Sequence, residues 1–131
     1  GCVSLGPFRI LYQSMEHAPL PQGVPPHVAT WIEAGGKSIY LPADAILDPE
    51  PHYGFLNDRR ADIGIWNAMF LSRPETRSLM LEAANKNYIY HMPLEDDDNM
   101  GIWRKCRRNF ERNPAQLKDI VVLNTYPSVI L

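Results

Sequence analysis

SRPETRSLMLEAAN, residues 72–85, is the stretch on which the fold reading turns. Ser72 and Glu75 have capping-box spacing, Pro74 suits a first helical turn, and Leu79, Met80, Ala83 and Ala84 recur on one helical face. The spacing predicts a helix from Ser72 to Asn85, packed on a sheet through Leu79, Met80 and Ala83. Both flanks are β-prone. Upstream, Ile63–Trp66 and Ala68–Leu71 read as an extended or hairpin-like region with Asn67 as its irregularity, and downstream Tyr88–Met92 alternates as a short strand before Pro93. A helix between two strands is the signature of a sheet flanked by helices.

Outward from this unit the alternation continues. Toward the N-terminus, Ser38–Leu41 is β-prone, Pro42 argues for an edge or a bulge, and Ala43–Leu47 continues extended. Pro25 and Pro26 suit the first turn of a helix through Val28, Ala29, Trp31 and Ile32, with Gly35-Gly36 closing it. Phe8–Tyr12 reads as a strand, followed by a Pro-rich connection at about 17–27. Toward the C-terminus, the acidic run Glu95–Asp98 opens a helix capped by Asp98 or Asn99. Met100, Trp103, Cys106 or Arg107, and Phe110 recur at spacings of three and four along it. Asn113-Pro114 starts a short helix through Leu117, Ile120–Leu123 is a strand, and Val129–Leu131 is a last apolar piece. The fold class is therefore α/β, or α+β: one domain over residues 1–131, with a small mixed sheet flanked by three or four short helices.

The composition fits an ordinary globular chain, since 131 residues with 45% hydrophobic and 21% charged residues are neither disordered nor fibrous. Thirteen Lys and Arg against fifteen Asp and Glu leave a formal charge of -2, so no global field selects nucleic acid or an anionic membrane. No apolar run approaches the roughly 20 residues of a membrane span. Cys2 and Cys106 form no C-x-x-C motif, and pairing them would close a loop of about 100 residues.

Several groups could carry chemistry. Asp44 and Asp48 lie four apart at a strand end, where open α/β sheets place ligands and where carboxylates hold hard cations; Asp58 and Asp62 flank Arg59-Arg60. As turn caps these aspartates need no function. The run Glu95–Asp98 lacks the spacing and central glycine of an EF-hand. His17, His27, His52 and His91 show no pair at helical or strand spacing, which argues against a zinc site. Arg104, Lys105 and Arg108 share the solvent side of their helix. They suit a phosphate-bearing or acidic partner better than a nucleic acid, because Trp103 and Phe110 turn inward.

Taken together, four segments resemble the GT-A type nucleotide-diphospho-sugar transferases over about residues 31–126. Gly35–Leu47 is similar to a strand ending in Asp-x-Asp, with Pro42 in place of the first Asp, and Asp48–Pro51 to the connection after it. Ala61–Pro74 resembles an acceptor-side segment, and Glu95–Asn99 a late acidic motif. The resemblance implies a reduced, trimmed or catalytically altered glycosyltransferase-like domain that binds a sugar nucleotide. Asp44 would ligate Mn²⁺ or Mg²⁺, Asp97 or Asp98 would serve as base or acceptor-positioning group, and Asn67, Arg104 and Arg108 would bind substrate. The competing expectation is a small non-catalytic module of effector, inhibitor or immunity type that binds a protein partner.

Overall fold

The computed structural model describes residues 1–17 and 26–123. Seven strands form one mixed sheet in chain order: β1 (Cys2–Leu5), β2 (Phe8–Met15), β3 (His27–Ala34), β4 (Lys37–Ala43), β5 (Ala61–Asn67), β6 (Ala84–Tyr90) and β7 (Ile120–Val122). The first four pair antiparallel as a meander; β4, β5, β6 and β7 run parallel. Four helices complete the described chain: α1 (Pro49–Leu56), α2 (Pro74–Ala83), α3 (Ile102–Arg112) and α4 (Pro114–Leu117). The α/β expectation of a small mixed sheet with short helices holds.

The helix α2 at the centre of the sequence reading is present, with Leu79, Met80 and Ala83 buried at 0%, 0% and 2% exposure. Its start differs from the capping-box expectation. Ser72 Oγ donates back to Met69 O instead of capping, Arg73 is the N-cap residue without a side-chain bond, and Thr76 Oγ1 donates to Phe70 O and Arg73 O. The segment Ala68–Leu71, expected to be extended, is a 3₁₀ turn because the Asn67 side chain accepts from Met69 N and stops the strand. After α2 the chain enters β6 at once, at Ala84 rather than Tyr88.

Several local readings are corrected. Val28–Ile32 is not a helix but part of β3, and its burial alternates as a strand requires. Gly35 and Gly36 both have positive φ, 57° and 75°, so the pair makes the tight turn of a β3–β4 hairpin, not a helix C-cap. The Pro-Glu-Pro stretch after Asp48 is α1 and not a plain connection: Pro49 needs no N–H at its first position, and Asp48 caps it by accepting from Glu50 N. The two cysteines are free, Cys2 exposed in β1 and Cys106 buried in α3, so the considered disulfide is absent. Most of the Pro-rich connection and all of Val129–Leu131 lie outside the described residues.

The core lies on one face of the sheet, where Tyr40, Trp66 and Ile89 meet Phe55, Leu79 and Cys106 of the helices. Gly64 is required there, since a Cβ would come within 2.3 Å of Trp66 Nε1, which donates to Asn87 Oδ1. Buried His52 bridges Tyr40 Oη and Ile46 O; the carbonyl can only accept, so His52 carries its proton on Nε2 and receives the Tyr40 hydroxyl on Nδ1. Burial lowers the His52 pKa and raises that of Tyr40.

The other face is open. One cross-strand row runs Val3, Ile10, Ile32, Ile39, Ile63 and Lys86, and a neighbouring row runs Ile65, Tyr88 and Val121. None of these side chains belongs to the buried core of the described residues.

Candidate functional site

Because β4, β5 and β6 are parallel, their carboxyl ends reach one edge of the sheet. There they carry Asp44, Asn67 and His91. The antiparallel meander brings the end of β2 to the same edge, since β2 runs with β4. An isolated bridge from His17 to Ala45 and the bond from Ile46 N to Glu16 O fasten it there. His27, the first residue of β3, arrives from the opposite direction.

The contacts centre on Asp44. Asn67 Nδ2 donates to Asp44 Oδ1, His91 Nδ1 lies 3.2 Å from the same oxygen, and His17 Nε2 lies 3.9 Å from Oδ2. Burial raises the Asp44 pKa, but the Asn67 amide and the imidazoles of His91 and His17 outweigh it and hold the carboxyl below its ordinary value. Tyr90, stacked on His91, is pushed up to about 12 by burial and the Asp44 charge. His27 packs edge-on to His17, and its Nε2 donates to Pro42 O.

The orientation of Asn67 is fixed by its own cap: Oδ1 accepts from Met69 N, so Nδ2 must face Asp44 and His91, 3.2 Å from His91 Nδ1. With a proton on its Nδ1, His91 donates to Asp44 Oδ1, which also accepts from Asn67 Nδ2, so one carboxylate oxygen gathers both groups. Two of the four non-glycine residues with positive φ among the described residues also lie here, Ala43 at 51° and His91 at 63°. Such strain persists only where surrounding structure enforces it.

The remaining sequence candidates stand elsewhere or have other partners. Asp98 accepts from Ile102 N and Trp103 N at the start of α3, and Asp97 is exposed in the 3₁₀ turn before it. Arg104 and Arg108 are exposed on α3, while Arg107 pairs with Glu95. Asp62 ties β5 to β4 through Ser38 and Lys37, and those bonds lower its pKa. Asp44 and Asn67 are thus brought together. The sequence reading missed His17 and His91, dismissed for lack of spacing, because the juxtaposition depends on parallel strand ends 47 residues apart in sequence.

No protein-family model and no curated protein matches the sequence. Among solved structures, the metallo-beta-lactamase fold protein YhfI from Bacillus subtilis matches with TM-score 0.58 and 15% identity, covering 95% of this chain and 50% of that one. The fold is similar to half of that protein. The likeness overturns the glycosyltransferase-like, nucleotide-sugar-binding expectation, and neither it nor the site geometry supports the effector, inhibitor or immunity-type alternative. The chain spans about half the length of the protein it matches. Among the described residues no group of three His, Cys, Asp or Glu side chains forms a metal cage. No helix of the described residues is long and apolar enough to cross a membrane.

Proposed function

We propose that the edge at Asp44 is one side of a divalent-metal centre of hydrolytic type, with Asp44 and His91 as ligands, His17 as a third, and Asn67 as the group that orients them. The observation that carries this reading is the convergence of three strand ends, which sets His91 Nδ1 3.2 Å from Asp44 Oδ1 with the Asn67 amide on the same oxygen. A cation shared by Asp44 and His91 would take both as ligands and leave the Asn67 amide bonded to the carboxylate.

The donor chemistry fits. Zinc takes imidazole nitrogen and carboxylate oxygen at about 2.0–2.2 Å in tetrahedral array, which sets neighbouring donor atoms about 3.3 Å apart. Asp44 Oδ1 and His91 Nδ1 stand 3.2 Å apart, and His17 Nε2 stands 3.9 Å from Asp44 Oδ2. Two imidazoles favour zinc over the Mn²⁺ or Mg²⁺ expected from carboxylates alone. The depressed Asp44 pKa keeps the ligand anionic at neutral pH. A metal held here would supply an activated water for hydrolysis, with the remaining coordination filled by groups beyond these three. The half-length match to a metallo-beta-lactamase fold protein supports the same class.

Calorimetric titration of the chain with Zn²⁺, Mn²⁺ and Mg²⁺ tests this. Zn²⁺ should bind most tightly, Asp44→Asn should weaken it at least a hundredfold, and Asn67→Ala should weaken it about 10–100-fold, as loss of a supporting hydrogen bond does. Absence of Zn²⁺ binding, or binding unaltered by Asp44→Asn, would exclude the site.

A further inference from the structure

The open face of the sheet is an apolar surface without a layer over it among the described residues. Val3, Phe8, Tyr12, Val28 and Val121 are each 43–49% exposed, and Leu5 is 69% exposed. The strand registers set all six on the same face as Ile39 and Ile63. Charge is confined to Lys37 and Lys86, toward the amino-terminal ends of the parallel strands. Parallel strands are normally covered on both faces. Here helices serve only one.

We infer that two copies of this chain pack open face to open face, giving two central sheets with helices outside. Seven strands about 4.8 Å apart, with about 3.3 Å per residue, present about 700 Å² on each copy. A standard stable interface buries about 800 Å² per partner. The surface suits itself as occupant, because its centre carries no charge that a second identical face would leave unpaired, and isologous pairing is the commonest oligomer form. Lys37 and Lys86 lie where their ammonium groups can reach solvent at the rim. The pairing does not depend on the metal reading.

Sedimentation equilibrium of the 131-residue chain over a concentration series, in chelator, is the test. A species of twice 15.0 kDa is expected. Ile39→Thr with Ile63→Thr keeps β-branching and β propensity and should raise the dimer dissociation constant at least tenfold, with the circular dichroism spectrum unchanged. Ser4→Pro, on the exposed edge strand β1, should leave it unchanged. If the double variant does not fold, amide exchange of the native chain decides. Ile39, Ile63 and Tyr88 amides should gain protection with concentration while α2 amides do not. A monomer at every concentration, open-ended aggregation, loss of dimer in Ser4→Pro alone, or concentration-independent exchange would each overturn the proposal.

Discussion

His91 Nδ1 lies 3.2 Å from Asp44 Oδ1, across the carboxyl ends of parallel strands separated by β5. Asn67, at the end of that intervening strand, reaches both. The three side chains meet because β4, β5 and β6 share a direction. An antiparallel partner in place of β5 or β6 would have carried its terminal residue to the other edge.

Acid should expose the role of Asp44. Its folded pKa lies below the unfolded value, so its contribution to stability is present above the unfolded pKa, near 3.8, and is lost as pH falls through the folded value. Urea unfolding between pH 5 and pH 2 should show this loss, and Asp44→Asn should flatten that part of the profile.

His52 acts at higher pH. Burial depresses its pKa, so below about 6.5 the unfolded chain takes up a proton that the folded chain refuses, and stability falls as pH drops from there. Nitrogen NMR of the ring at pH 7 should show a neutral imidazole protonated on Nε2. Tyr40→Phe, which leaves Nδ1 without its donor, should destabilise by about 1–3 kcal/mol.

Gly64→Ala should cost about 1–3 kcal/mol by overpacking, because the added methyl meets Trp66 Nε1 at 2.3 Å and Asn87 Oδ1 at 2.8 Å. The Trp66 to Asn87 bond should break with it, seen as a shift of the Trp66 indole N–H resonance.

Leu79→Ala, at a fully buried position of α2, should cost about 2–5 kcal/mol in thermal or denaturant unfolding. A loss under about 1 kcal/mol would mean that the α2 face does not form the core.

The fold was legible where hydrophobic spacing and local chemistry agree. Leu79, Met80 and Ala83 gave α2 its inner face directly, and the alternation around it gave the α/β class. Gly35-Gly36 misled, because a glycine pair with positive φ serves a hairpin turn as well as a helix end, and Val28 to Ile32 is compatible with either period over so few residues. Pro49 and Pro51 hid α1, since proline marks a connection as readily as a first turn. At the site, Asp44 was visible as a strand-end carboxylate and Asn67 only as the irregularity of an extended region. His17 and His91 were not, since only tertiary pairing makes neighbours of residues on different strands.

The central claim is that Asp44, His91 and His17 hold one metal ion. Nitrogen NMR of the four imidazoles during titration with one equivalent of Zn²⁺ addresses it directly. The ring nitrogens of His91 and His17 should shift, those of buried His52 should stay in place, and Asp44→Asn should abolish both shifts. Unmoved His91 and His17 resonances, or shifts that persist in Asp44→Asn, would contradict it.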